Sequence, residues 1–159
     1  MAERDLLASA IERTVTGPMW HGPSLAALLK DMTFADAMEH PIDGAHSIWE
    51  VALHVAAWAN IARERLSLEP TREPTLAEDW PPVAIPTQPK WWRAVNELTD
   101  GHRRLADAVR RFDETKLNHQ IPGHDYTVRV MLHGVVEHGA YHGGQIALLT
   151  RSLQDRRPR

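Results

Sequence analysis

Apolar residues recur at intervals of three and four along most of this chain, and this spacing constrains the fold more than any other feature. It is the period of one face of an α-helix, and such a face packs against other helices. The spacing predicts long helices over about 3 to 15, 47 to 68, 90 to 111 and 127 to 151. The clearest stripe consists of Trp92, Val95, Leu98, His102, Leu105, Val109 and Phe112. No stretch alternates with the two-residue period of a strand.

Four long helices predict an all-α protein, and specifically an antiparallel four-helix bundle. Ser47 and Glu50 form the S-x-x-E pattern of a capping box at the start of the second helix. The connection between the second and third helices, 69 to 89, holds six of the eleven prolines and is predicted to be an irregular loop. It is long enough to run the length of a bundle, and loops of this length are often functional.

Composition excludes several classes of protein and site. The chain has 159 residues, a formal net charge of -3 and no basic stripe, which argues against a nucleic-acid partner. No apolar run reaches the length of a membrane span, and the charged start of the chain lacks a signal-peptide core, so we expect a cytoplasmic protein. We expect residues 1 to 159 to form one domain with a disordered tail from about 152. There are no cysteines, so a protein-bound metal must use His, Asp or Glu.

Histidine is abundant, with ten residues, and three of the ten lie on apolar stripes of two helices in a suggestive pattern. The stretch "EHGAYHGGQI", 137 to 146, places His138 and His142 one helical turn apart, on the same face. His54 lies on the stripe of the second long helix. Three imidazoles with an open fourth position are typical of a catalytic metal site, and bundle cores are a usual place for one. The alternative is that all three are core histidines satisfied by carbonyl or carboxylate groups, and the residues alone leave both interpretations open.

Four glycines accompany these histidines on the last helix: Gly134, Gly139, Gly143 and Gly144. In a helix interior each costs about 1 kcal/mol relative to Ala. Small residues beside His138 and His142 leave room for a neighbouring helix or for a substrate.

Two motifs resemble a known family. "HSIWEVALHVAAW" (46 to 58) followed far downstream by "LHGVVEHGAYHGGQIALL" (132 to 149) resembles the DinB/YfiT-like superfamily, and "MWHGPSL" (19 to 25) is similar to one branch of it. The resemblance implies a four-helix bundle, often a homodimer, with a divalent metal held by three histidines. By motif position these are His54, His138 and His142. For some members it also implies transfer or isomerisation reactions that use low-molecular-weight thiols such as bacillithiol or mycothiol.

Imidazole ligands suit Zn²⁺ or Ni²⁺ best, and the fourth position would take water or a substrate atom. Around such a site, Glu50 is a candidate to orient His54, although its capping box competes for the same carboxylate. Gln145, on the face of His142, is a candidate to hold substrate or to make a structural hydrogen bond. His21, in a Gly/Pro-rich break, is a candidate acid or base at the mouth.

The remaining histidines and the nearby aromatic residues are assigned no direct role. Tyr141 is expected to point away from His142, and Trp58 to belong to the core. His102 is expected to be a satisfied core histidine. The histidines that fall in turns or off the stripes are His40, His46, His119, His124 and His133.

Three functions are compatible with the sequence. The first is a metal-dependent enzyme, a thiol-dependent S-transferase or a hydrolase, acting on a small molecule. The second is a non-catalytic metal-binding protein of a stress response. The third is a helical interaction module with core histidines. A solvent-open pocket beside the histidines favours the first function, and a closed site with four protein ligands favours the second.

Overall fold

The computed structural model describes residues 2 to 156, and these are mostly helical. The α-helices are α1 Glu3–Thr16, α2 Leu25–Leu29, α3 Phe34–Met38, α4 Ile48–Arg65, α5 Leu76–Asp79, α6 Gln88–Arg111 and α7 Val128–Arg156, with a 3₁₀ turn at Glu114–Lys116. Within this part of the chain there is no strand, only two isolated bridges. The predicted all-α class is confirmed. α7 continues to Arg156, so residues 152 to 156 of the expected disordered tail are helical; residues 157 to 159 lie outside the described part.

The predicted start of α4 is correct in detail. The Ser47 hydroxyl accepts from the Glu50 backbone N–H at 3.2 Å, and the Glu50 carboxylate accepts from the Ser47 backbone N–H at 2.8 Å. This reciprocal pair satisfies two N–H groups that the first helical turn leaves without backbone partners. It also fixes where the face carrying His54 points.

The helical phase of α6 differs by one residue from the prediction at its start. Trp91 is buried and Trp92 is 59% exposed, whereas Trp92 was placed on the buried stripe. The Trp91 indole N–H donates to the Met32 carbonyl at 2.8 Å, and its ring packs against Trp49. The apolar spacing of α6 allows either of the two adjacent tryptophans on its buried face. The hydrogen bond from Trp91 to Met32 explains why Trp91 is the buried one.

The four long helices pack so that α1 and α4 each contact both α6 and α7. Trp49 meets Trp91 near the start of α4 and α6, and Ala59 lies against Gly101 farther along, so these two helices run in the same direction.

α4 and α7 run in opposite directions. His54 meets His142 near the start of α4, whereas Arg65, the last residue of α4, donates to the Tyr126 hydroxyl just before α7 begins.

α1 and α7 run in the same direction, since Glu3 pairs with Arg129 and Thr14 packs on Gly139. Neighbouring helices were expected to be antiparallel, but the pairs α4–α6 and α1–α7 each run in the same direction. The reason is the connection from 66 to 87, which carries the chain back along the length of α4, about 27 Å, before α6 begins.

Gly139 marks the closest approach of α1 and α7. A Cβ built on Gly139 would lie 2.3 Å from the Thr14 side chain, and one on Gly143 would lie 3.6 Å from Leu25. A Cβ on Gly134 or Gly144 meets nothing within 4 Å. Packing therefore requires a glycine at Gly139, whereas a Cβ on Gly143 would make an ordinary van der Waals contact.

Gly139→Ala is expected to destabilise the protein by about 1 to 3 kcal/mol, because the added methyl group overpacks the contact between α1 and α7. Gly144→Ala is the matched control on the same helix, and it should stabilise the protein by up to about 1 kcal/mol. Urea unfolding of both variants measures the two effects. Equal stability changes would contradict the packing role of Gly139.

Candidate metal centre

α4 and α7 bring the three predicted histidines together. His54 and His142 are 6% and 5% exposed, and His138 is half-buried. One ligating nitrogen from each imidazole lies within 4.8 Å of the other two. The Nε2 atoms of His54 and His138 are 2.9 Å apart. The apolar stripes of α4 and α7 face each other, so the three histidines predicted on those stripes lie in one cluster.

Hydrogen bonds fix the tautomers of two imidazoles. His54 Nδ1–H donates to the Asp79 carbonyl oxygen at 2.7 Å, and His142 Nδ1–H donates to Gln145 Oε1 at 2.7 Å. A neutral imidazole carries one N–H, so each Nε2 keeps its lone pair. This arrangement, a ring N–H held by a carbonyl group and a free nitrogen turned to a common point, is the usual one for histidine metal ligands.

The donors fit a divalent ion in charge state as well as position. Burial, with smaller contributions from the neighbouring His142 and His54, lowers the pKa of His138 to about 3. Burial also lowers the pKa of His54 and of His142, against the opposing effects of Asp79 and Gln145. All three are therefore neutral near pH 7, which is the form that ligates metals.

The connection between α4 and α6 also packs against the histidine cluster. Its short helix α5 begins with a capping box between Thr75 and Glu78 and ends at Asp79. Asp79 Oδ1 accepts from the Trp58 indole N–H at 2.6 Å, while its carbonyl group holds His54.

Trp80, which follows Asp79 directly, stacks on the His54 ring at 3.9 Å. On its other face it stacks against His46 at 3.6 Å. The connection is therefore fixed over the site by an aromatic stack as well as by hydrogen bonds.

A cavity of about 780 Å³ opens beside the three histidines, and we call it the histidine cavity. Its walls are mostly apolar, and the side chains of Gln145, Asp79 and His46 reach it. Tyr141 and Leu148 form part of its edge and are 66% and 61% exposed, so the cavity is open to solvent. A pocket of this kind admits a small molecule.

Two of the other candidates, Glu50 and His21, do not lie among the described residues that line the histidine cavity. Glu50 does not contact His54; its carboxylate serves the capping box and lies 3.2 Å from His40 Nε2. Asp79 orients His54 instead. His21 is exposed and is not among the described residues that line the histidine cavity.

Gln145 does reach the site, and it does so through its hydrogen bond to His142. Its position is that of a residue that orients a ligand.

Three residues that were given no direct role line the histidine cavity: His46, Trp58 and Tyr141. Tyr141 lies beside the His142 ring, with centroids 5.1 Å apart. His102 is a core histidine as expected. It is 2% exposed, its Nδ1–H donates to the Leu98 carbonyl at 2.8 Å, and burial lowers its pKa to about 4.

Asp79 and Trp80 were missed because they lie in the segment treated as an irregular loop. One local signal was available. Thr75 and Glu78, as T-x-x-E, have the same capping-box spacing as Ser47 and Glu50 and predict that a helical turn begins there.

The family model of the DinB superfamily matches residues 19 to 146, which is most of the chain and includes all three clustered histidines. The chain belongs to the DinB superfamily. No curated protein and no solved structure matches it. In this DinB-superfamily protein, no helix among residues 2 to 156 is both long and apolar enough to cross a membrane. The family and the buried histidine cluster are together compatible with metal binding.

Proposed function

We propose that the protein is a divalent-metal-dependent enzyme acting on a small molecule, with His54, His138 and His142 as the ligands of Zn²⁺ or Ni²⁺. The observation that carries the proposal is the convergence of three neutral imidazoles at the wall of a solvent-open cavity. A bound ion would supply Lewis acidity and lower the pKa of a water or thiol. The protein's own residues fix the imidazoles and form an open, mostly apolar cavity that admits the substrate.

The reaction class we propose is transfer to or from a low-molecular-weight thiol, or hydrolysis. It rests on the family resemblance and on the mainly apolar cavity, which suits an uncharged reacting group. The second candidate, a non-catalytic metal-binding protein of a stress response, would be favoured by a fourth protein ligand. Among residues 2 to 156 the cluster contains three candidate ligands, and the cavity adjoins them. A homodimer stays a prediction, which sedimentation velocity tests.

Elemental analysis of protein purified without chelator or polyhistidine tag tests the metal site. We expect about one Zn or Ni per chain in the wild type and none in His142→Ala. His133→Ala is the matched control, since His133 is exposed on the same helix. Loss of metal in the control, or no metal in the folded wild type, would overturn the proposal. A screen of thiol-dependent transfers and hydrolyses with the metal-loaded protein then tests the reaction class.

Asp79→Ala is expected to weaken metal binding about tenfold, because Asp79 anchors the carbonyl group that orients His54. Trp58→Phe removes the indole donor to the Asp79 carboxylate and should have a smaller effect in the same direction. If the Asp79 side chain acts through its hydrogen bond to the Trp58 indole, the double variant should bind metal no more weakly than Asp79→Ala alone. Metal competition titrations measure the affinities, with Asp100→Ala as a control on α6.

A further inference from the structure

A second cavity, of about 340 Å³, adjoins the histidine cavity, and we call it the arginine cavity. Trp58 and His138 line both cavities. The rest of its wall comes from the end of α4, the connection after it, the start of α7 and the segment just before α7. Its most unusual member is Arg65, which is 1% exposed.

The Arg65 guanidinium is buried but only partly satisfied. One terminal nitrogen donates to the Tyr126 hydroxyl, and the other lies 3.2 Å from Glu73 Oε2. Its Nε has no hydrogen-bond partner. A buried N–H without a partner costs on the order of 1 to 3 kcal/mol, more for a charged group. A guanidinium holds a carboxylate best when two parallel N–H groups donate, and Glu73 takes only one.

Glu73 is a weak partner for a buried charge. Its side chain is 69% exposed, and its other oxygen is 3.0 Å from His124 Nδ1. An exposed carboxylate is accessible to water, so Glu73 can turn toward solvent when another carboxylate pairs with Arg65. A ligand carboxylate can therefore replace Glu73 on Arg65 or join it.

Gly134 forms an open part of the wall of the arginine cavity. It lies within α7 and lines the cavity, and a Cβ at this position would meet nothing within 4 Å. Glycine costs a helix interior about 1 kcal/mol relative to alanine. A side chain larger than alanine at this position would extend into the cavity, so glycine keeps that volume free.

We infer that the arginine cavity binds the carboxylate end of a small organic acid whose apolar body lies along Trp58 toward the three histidines. The Arg65 guanidinium carbon is 5.6 Å from the Trp58 ring centroid, which is 6.1 Å from that of His138. A chain of several carbon atoms spans these two steps. A carboxylate fits better than a phosphate, because Glu73 would repel a second negative charge. Assigning this acid as the substrate rests on the proposed function; the binding site itself does not.

Calorimetric titration of the protein as purified, with its metal content measured, tests the inference. We expect one hexanoate per chain, bound at least tenfold more tightly than 1-hexanol, and no binding of inorganic phosphate. Arg65→Gln should remove the preference for hexanoate. Because this buried position could affect folding, Gly134→Leu provides a second test. It fills the cavity and should weaken hexanoate binding at least tenfold, while Gly144→Leu, at an exposed site on the same helix, should not.

The same titration after metal removal separates the two proposals. Binding that depends on Arg65 should persist in the metal-free protein, even if elemental analysis had found no metal and the proposed function had failed. Hexanoate binding that needs the metal and ignores Arg65→Gln would place the carboxylate on the metal and overturn the inference. Equal affinity for hexanoate and hexanol, tighter binding of phosphate, or full binding by Gly134→Leu would overturn it as well.

Discussion

Acidifying the metal-free protein from pH 7.5 to pH 5 is expected to remove several kcal/mol of its free energy of unfolding. Four histidines are held neutral in the folded state with a pKa below the ordinary value of 6.5: His54, His102, His138 and His142. Burial is the largest cause for each. On unfolding they regain the ordinary pKa and take up protons, so acid favours the unfolded chain.

The sign and the pH range of this loss of stability follow from the lowered pKa values of the four histidines. The stabilisation is fully present above about pH 6.5 and is lost as the pH falls toward the folded-state values, about 4 for His102 and about 3 for His138. Each histidine that binds a proton only on unfolding adds up to about 1.4 kcal/mol per pH unit to the slope. Total stabilities of domains are about 5 to 15 kcal/mol, so we expect acid unfolding between about pH 4 and 6.

Urea unfolding at a series of pH values measures the slope. His102 is the best single reporter, because it is buried and outside the proposed metal site. His102→Leu should reduce the slope by about one proton, whereas His133→Gln, at an exposed position on α7, should leave it unchanged. A free energy of unfolding that stays constant from pH 7.5 to 5 would contradict neutral burial of these histidines.

The sequence alone was sufficient for the long helices and for placing three histidines on two apolar helix faces, because both depend on local spacing. His138 and His142 are four residues apart, so a helix places them on one face regardless of how the rest of the chain folds. The capping box likewise depends on two residues, Ser47 and Glu50, that are three apart.

What could not be predicted depends on contacts between residues far apart in the chain. The partner of His54 is Asp79, 25 residues away, in a connection whose path local spacing does not determine. Glu50 was a reasonable candidate by spacing, but its carboxylate accepts from the Ser47 N–H in the capping box and lies 3.2 Å from His40 Nε2.

The shared direction of α4 and α6 and the position of Asp79 both result from the long connection between these two helices. A short connection forces neighbouring helices to be antiparallel, whereas a connection of this length allows either direction. The chain uses that length to cross the histidine cluster, and this crossing brings Trp80 onto His54. The loop that interrupts the helical pattern is therefore the element that completes the site.

Metal is expected to stabilise the folded protein strongly, and removing one ligand should abolish the effect. A ligand that binds only the folded state adds about 4 kcal/mol at a free concentration 1,000 times its Kd. At roughly 2 to 4 °C per kcal/mol for a chain of this size, the melting temperature should rise by about 10 °C. Chelator should reverse the rise.

The three ligand variants should respond alike, because their nitrogens meet at one point within 4.8 Å. His54→Ala, His138→Ala and His142→Ala should each lose stoichiometric metal and show no rise in melting temperature with added Zn²⁺ or Ni²⁺. His133→Ala should behave as the wild type. Full metal occupancy in any two of the three variants would rule out a three-histidine site. A wild type that binds one ion without gaining stability would mean that the unfolded chain, with its ten histidines, binds metal equally well.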